Sequence, residues 1–155
     1  MAFMNATGGA IGVILGRALS AGGMALRGKP RIDTAEFISM LKSMENAVAI
    51  AGKVKPGDKT ILDAIHAAAA VPPGPDLIET MRAAYLAAEG AAADTAGWVC
   101  KVGRASRLGD RAIGHPDPGA VSFSIFLKAL LESVESHAEA LSPHGARRGN
   151  APLRQ

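Results

Sequence analysis

The chain has 155 residues, which is enough to bury one hydrophobic core and is the usual size of a single domain. Hydrophobic residues make up 48% of it but aromatic residues only 4%, a composition that favours close-packed helices over a β-sandwich. The single cysteine excludes an intrachain disulfide framework, and a net charge of +3 without a recognisable nucleic-acid module argues against a nucleic-acid-binding protein. We therefore predict one all-α domain in the cytoplasm, with no nucleic acid as partner.

Hydrophobic periodicity and turn residues predict five helices. The first covers residues 10–20, where Gly8, Gly12 and Gly16 recur at four-residue spacing and form a smooth stripe. Such a stripe allows a neighbouring helix or a ligand to approach the backbone closely, and helix packing is the expected role of Gly16. The apolar segment before Arg17 is short for a membrane span and no basic residue precedes it, so we expect neither a signal peptide nor a membrane anchor.

Capping residues mark the start of the second and third helices. Asp33 and Glu36 have the spacing of a capping box, and the helix that they open ends at Gly52. Its apolar face consists of Phe37, Met40, Leu41, Met44 and Val48. The third helix starts near Thr60 and stops before the Pro-Pro-Gly sequence at 72–74.

The last two helices follow prolines. The fourth is predicted to start at Pro75 and Asp76 and to run toward Val99, and the fifth starts at Pro118 and Gly119. The apolar positions of the fifth are Phe123, Phe126, Leu127, Leu130, Leu131 and Val134. Residues 142–155 combine Pro, Gly and Arg without apolar periodicity, which predicts a disordered basic tail.

Two connections between helices contain unusual chemistry for loops. The first, GKVKPGDKT at 52–60, holds two glycines and three lysines before a helix start whose backbone N–H groups could bind an anion. A plain helix-capping turn is the alternative for the same residues. The glycine spacing of a Walker P-loop is missing and no strand precedes the segment, so we do not interpret it as that motif.

The second connection, KVGRASRLGDRAIGHPDPGA at 101–120, is richer. Arg104 follows Gly103, which places a guanidinium group able to bind two phosphate oxygens on permissive backbone. Asp117-Pro118-Gly119 supplies a capping carboxylate, a proline suited to a first helical turn and a residue that lets a ligand come close. Together these residues suit the phosphate or sugar of a nucleotide, while the other charged residues of the loop are expected to form surface ion pairs.

Acid–base and metal chemistry are poorly represented. His115 has no evident carboxylate or serine partner, which favours a structural role. Asp63 and His66 share a helix face, but no second pair of metal ligands is visible in the sequence. Cys100 has no obvious catalytic histidine and is expected to be buried. We therefore predict neither a catalytic residue nor a metal ligand in this chain.

Three segments resemble the nucleotide-binding domain of dihydroxyacetone kinases, the L-type subunit. They are GGAIG at 8–12, GKVKPGDKTILDA at 52–64 and GRASRLGDRAIGHPDPGA at 103–120, with Thr95 eight residues before the last. The resemblance covers residues 1–141 and implies an antiparallel barrel of eight helices, of which this chain would supply five. It also implies that ADP or ATP binds at one end of the barrel, facing a K-type subunit that holds dihydroxyacetone on a histidine.

The resemblance assigns nucleotide contacts to nine residues. It implies that the phosphates lie near Gly9, Ala10, Ile11 and Arg104, the adenosine near Gly52 and Ile61, and the nucleotide against Asp117, Pro118 and Gly119. Three positions depart from the family's usual residues: Ile11 stands in place of serine, Ile61 in place of methionine and Arg107 in place of tyrosine.

The family's Gly-Asp-x-Asp segment, whose aspartates hold magnesium, does not occur in the 155 residues. This favours an N-terminally truncated domain, either a fragment, a shortened reading frame or half of a split subunit, with an apolar flank left for another chain. Phosphoryl transfer depends on the metal, so the chain by itself is expected to be a poor kinase.

The leading hypothesis is the nucleotide-binding component of a dihydroxyacetone-type kinase, which transfers phosphate to a small ketose or polyol held by the K-type subunit. A homodimer or hetero-oligomer is expected, and a phosphoryl-carrier protein is a further partner that the resemblance implies. The alternative is a non-catalytic, degenerate nucleotide-binding or regulatory module without metal ligands.

Overall fold

The computed structural model describes residues 10–141, apart from the side chains of Ala10, Ile11, Arg104, Ala105 and Leu108. Within these residues it contains five α-helices and no strand, which confirms the predicted all-α class. The helices are α1 (Ala10–Ala25), α2 (Thr34–Gly52), α3 (Ile61–Ala69), α4 (Leu77–Asp94) and α5 (Pro118–Leu141). Gly9 and the predicted tail at 142–155 lie outside the described residues, and the closed eight-helix barrel stays a prediction.

The helices pack largely in chain order. Each helix contacts the next one, and α3 also packs against α5. The core that they enclose contains the predicted apolar face of α2 together with Leu62 and Ile65 of α3, Met81 of α4 and Phe123 of α5. Burial of these side chains is the main favourable contribution to folding, at about 25 cal/mol per Å² of apolar surface. No described helix is both long enough and apolar enough to cross a lipid bilayer.

A glycine lets α1 lie close to α2. A Cβ atom added to Gly22 would come within 3.0 Å of Met44 Cγ and 3.2 Å of Met40 Cγ. Only a residue without a side chain fits this contact while the methionines keep their positions. Close packing of helices through a glycine is thus seen at Gly22, further along α1, and the packing role that the sequence suggested for Gly16 stays a prediction.

The predicted helix starts are confirmed by their capping bonds. Asp33 accepts a hydrogen bond from the Glu36 backbone N–H at 2.7 Å, and Glu36 accepts one from the Asp33 N–H at 3.0 Å, which completes the capping box. Asp76 caps α4 by accepting from the Glu79 N–H at 2.9 Å. These local bonds satisfy N–H groups that the helices cannot satisfy internally.

The prediction that α4 continues toward Val99 was wrong. The α-helix ends at Asp94 and is followed by a 3-10 turn at Thr95–Gly97, after which Trp98 is extended. The Thr95 hydroxyl donates to the Ala92 carbonyl at 2.6 Å and accepts from the Asp117 backbone N–H at 2.8 Å. The Thr95 hydroxyl thus bonds to a helix carbonyl and is itself bound by a residue 22 positions away, and apolar periodicity indicates neither bond.

Candidate functional site

Three cavities share walls beside the N-terminus of α5, and Asp117 lines all of them. Their volumes are about 160, 220 and 280 Å³. We call the three together the Asp117 cleft. The first two are lined by Ile14, Val48, Gly52, Val54, Lys59, Thr60, Ile61, Cys100, Val102, Gly103, Pro118 and Gly119. The third is lined by Lys59, Cys100, Arg111, Ala112, His115, Pro116 and Pro118.

The cleft brings together five of the nine residues assigned from the resemblance, namely Gly52, Ile61, Asp117, Pro118 and Gly119. They come from the end of α2, the start of α3 and the start of α5. Residues that are far apart in the sequence therefore line one surface, and whether that surface binds a nucleotide stays a prediction.

For the other four residues assigned from the resemblance, Gly9, Ala10, Ile11 and Arg104, the structure describes at most the backbone. Ala10 and Ile11 are the first two residues of α1, the helix that contributes Ile14 to the cleft. Arg104 begins the 3-10 helix Arg104–Ala112 directly after Gly103, which lines the cleft. Their side chains, like the whole of Gly9, lie outside the described residues.

Asp117 caps α5, as the sequence predicted. Its carboxylate accepts from the Ala120 backbone N–H at 2.8 Å, and its own N–H donates to the buried Thr95 hydroxyl. Burial raises the pKa of the Asp117 carboxyl above the ordinary 3.8, while the N–H groups of Ala120 and Gly119 act in the opposite direction. Burial is the largest of these effects, so the cleft holds a carboxylate whose charged form is destabilised by desolvation.

This pKa predicts how stability responds to pH. Between 3.8 and the raised pKa the folded chain binds more protons at Asp117 than the unfolded chain does, so the free energy of unfolding falls as pH rises through that range. Asp117→Asn keeps an acceptor oxygen and removes the titration. We expect the stability of wild type relative to Asp117→Asn to decrease as pH rises through this window, measured by urea unfolding at several pH values. A difference that is constant with pH would show that desolvation does not govern this carboxyl.

The start of α3 is a capping turn and not an open anion site. The Asp63 carboxylate accepts from the Gly57 N–H at 2.5 Å and the Thr60 N–H at 2.7 Å, and the Thr60 hydroxyl accepts from the Leu62 N–H. The N–H groups of Gly57, Thr60 and Leu62 are therefore bound within the turn. Of the two alternatives stated for residues 52–60, the structure favours the capping turn.

Lys59 is the residue of this turn that sequence reasoning undervalued. It is buried, and its Nζ donates to the carbonyl of Trp98 at 2.9 Å and to that of Ala112 at 2.6 Å. The Lys101 backbone N–H also bonds to the Asp58 carbonyl, at 3.2 Å. The two connections that the sequence singled out therefore touch each other, which nothing in their separate patterns indicated.

Cys100 is buried as predicted and lines two of the three cavities. Its thiol donates to the Val102 carbonyl at 3.2 Å. His115 is exposed at the rim of the third cavity. His66 lies outside the cleft, with Nδ1 2.6 Å from a Glu45 carboxylate oxygen.

The described residues around the cleft do not fit a magnesium ion. Asp63 and Asp117 already accept backbone N–H groups, and Asp58 accepts the Lys55 N–H at 2.9 Å. Nowhere in the described part of the chain do three His, Cys, Asp or Glu side chains come together in a way that could hold a metal. Magnesium prefers several oxygen ligands in octahedral geometry, which these carboxylates do not provide together.

The chain is similar to a known protein family and to several characterised kinases. The family model for the DAK2 domain matches residues 1–132. The chain is 34% identical over 148 residues to L-erythrulose kinase of Pectobacterium atrosepticum, a match that covers 92% of this chain and 25% of that protein. It is 34% identical over 139 residues to the ADP-binding subunit DhaL of PEP-dependent dihydroxyacetone kinase 2 of Listeria innocua, covering 87% of this chain and 64% of the relative.

A mammalian protein is similar over the same region. Triokinase/FMN cyclase of Homo sapiens is 35% identical over 136 residues, which cover 83% of this chain and 23% of that protein. The chain therefore spans less than two thirds of the length of each of these relatives.

Proposed function

Because the chain belongs to the DAK2 domain family, we propose that it binds ADP or ATP in the Asp117 cleft as the nucleotide-binding component of a dihydroxyacetone-type kinase. The observation that supports this most is the shared position of Gly52, Ile61 and the Asp117–Gly119 segment on one cleft. The similar Listeria protein is named as an ADP-binding subunit, which agrees with a nucleotide as the ligand.

The lining of the cleft suits the two halves of a nucleotide. Ile14, Val48, Val54 and Ile61 form apolar walls around the 220 Å³ cavity, and apolar walls with a few polar groups are typical of sites that hold a planar base. The second connection, at 101–120, begins at the same cavity, and its lysine and arginines would supply cations for the phosphates. The nucleotide would thus lie with its base between α1, α2 and α3 and its phosphates toward Gly103 and Arg104.

Substrate and partners follow from the family in this proposal. A K-type subunit would hold the small ketose or polyol, and this chain would orient the nucleotide toward it. A phosphoryl-carrier protein would replace free ATP in a PEP-dependent system. The relatives are named as kinases of dihydroxyacetone and erythrulose, so the ketose itself is left open between them.

Cys100 provides a direct test of nucleotide binding. It is the only cysteine and lines the proposed site, so alkylation of the chain reports on this one position. With ADP at ten times its dissociation constant, measured by calorimetric titration, we expect the alkylation rate to fall about tenfold, because labelling requires the unliganded fraction. The same reaction in urea, with and without ADP, controls for any effect of ADP on the reagent.

Two outcomes separate the proposal from its alternatives. If millimolar ADP gives neither heat nor protection of Cys100, with or without magnesium and a K-type subunit, the nucleotide-binding proposal is wrong. If ADP binds but the reconstituted complex does not phosphorylate dihydroxyacetone or erythrulose, the chain is a non-catalytic nucleotide-binding module.

A further inference from the structure

Lys59 has a position that nucleotide binding as described above does not explain. It is only 4% exposed, and its backbone has φ 62°, in the left-handed region that side chains other than glycine rarely adopt. A buried ammonium group and a left-handed non-glycine residue each cost stability unless the surroundings compensate. Such a combination persists where the exact position of the group matters.

The partners of Lys59 show what is being held. Nζ donates to the Trp98 carbonyl and to the Ala112 carbonyl, which lie at the two ends of residues 98–112. We call residues 98–112 the basic loop, because it carries Lys101, Arg104, Arg107 and Arg111. The ammonium group of Lys59, in the turn before α3, therefore holds the two ends of this loop together, and we call these two ends its neck.

Other bonds attach the same neck to the rest of the molecule. The Gly114 N–H donates to the Ala96 carbonyl at 2.8 Å, and Lys101 Nζ donates to the Gly57 carbonyl at 2.8 Å. The Lys101 bond is exposed to solvent, whereas the Lys59 bond to Ala112 is buried. Buried charge-assisted bonds are stronger than exposed ones and are not replaced by water when they break, so Lys59 is the dominant contact.

We propose that Lys59 is a positioning residue, whose ammonium group fixes the neck of the basic loop so that Arg104 is presented to the phosphates of the nucleotide. The inference rests on the proposed function for its ligand. The two bonds from Lys59 to the carbonyls of Trp98 and Ala112, which we call the clasp, lie within the chain and do not depend on that ligand. Lys59 acts through Arg104 and is not itself assigned a contact with nucleotide. The two Lys59 bonds attach both ends of the loop to one group, so the position of the loop depends more on that ammonium than on any other single contact at the neck.

The clasp can be tested without any nucleotide. Lys59→Met keeps the length of the side chain and removes all N–H donors, and Lys55→Met is the matched control, because Lys55 is exposed on the same turn. We expect trypsin to cut the basic loop about tenfold faster in Lys59→Met than in wild type or Lys55→Met, at a temperature well below unfolding. Mass spectrometry of the fragments identifies cuts after Lys101, Arg104, Arg107 and Arg111.

The positioning role is tested by a double-mutant cycle with ADP titration. We expect Lys59→Met to weaken ADP binding about tenfold, and Arg104→Ala to cost less than about threefold in the Lys59→Met background although it costs tenfold or more in wild type. A merely structural lysine would lower the melting temperature and leave the full effect of Arg104→Ala in place. Lys59→Arg, which keeps charge and donors, should recover part of the lost affinity. If Lys59→Met does not fold, Lys59→Gln enters the same cycle.

The outcomes distinguish the inference from the proposed function. Failure of wild-type chain and complex to bind ADP contradicts the proposed function, and trypsin cleavage still decides whether the clasp exists. Unchanged cleavage in Lys59→Met overturns the clasp whatever the nucleotide does. Additive effects of Lys59→Met and Arg104→Ala in a chain that binds ADP overturn the positioning role.

Discussion

Replacing Arg104 with alanine is expected to weaken ADP binding by about 1.5–3 kcal/mol, which is about one to two orders of magnitude in affinity. The physical reason is the loss of charge-assisted hydrogen bonds to phosphate oxygens, which a neutral side chain cannot replace. Because Arg104 lies in a 3-10 helix on a connecting loop, the melting temperature of the unliganded protein should change little. Calorimetric titration of the protein with ADP measures the affinity, and melting curves of the unliganded protein measure the melting temperature.

Arg107→Ala is the matched control for this experiment. Arg107 is an exposed arginine of the same loop, and we expect its replacement to change ADP affinity by less than about twofold once the ionic strength is fixed. Unchanged ADP affinity together with a lowered melting temperature in Arg104→Ala would show that this arginine stabilises the loop and does not bind the ligand. Equal losses in both variants would indicate general electrostatic attraction.

Asp63→Ala is expected to reduce stability strongly, by about 2–4 kcal/mol of unfolding free energy. The carboxylate is buried and accepts part-buried hydrogen bonds from the N–H groups of Gly57 and Thr60, and a donor left without a partner away from water costs about 1–3 kcal/mol. The loss should lower the melting temperature by roughly 6–12 °C for a domain of this size. Urea unfolding followed by circular dichroism gives the free energy, provided that the m-value is unchanged.

Asp33→Ala serves as its control, because it makes the same substitution in the capping box of α2. Asp33 is exposed, so water can replace the lost acceptor, and we expect a cost of about 1 kcal/mol. A comparable cost for the two substitutions would mean that Asp63 acts only as an ordinary helix cap. In that case the turn before α3 would not depend on a buried carboxylate.

Much of the fold could be predicted from the sequence because its signals are local. The capping box of Asp33 and Glu36, the proline and aspartate before α4, and the cap at Asp117 each act within a few residues of the helix that they start. Helix periodicity likewise identified the buried face of α2. These features do not depend on which segments meet in three dimensions.

The features that were missed depend on contacts between distant segments. The burial of Lys59 requires the carbonyls of Trp98 and Ala112, and Thr95, directly after the end of α4, is bonded to Asp117. A lysine in a turn between two helices is usually solvated, so its type and its neighbours predict an exposed side chain. The candidate site was found by resemblance, and only the packing of the helices shows that its residues from three segments line one cleft.

The carbonyl that Lys59 holds at one end of the basic loop belongs to Trp98, the only tryptophan of the chain. Its indole is partly buried, and the emission of an indole shifts with its exposure to water. The tryptophan fluorescence of the protein therefore comes from the neck of the loop alone. An opening of that neck can be followed in real time by stopped-flow mixing, in the unlabelled protein and at micromolar concentration.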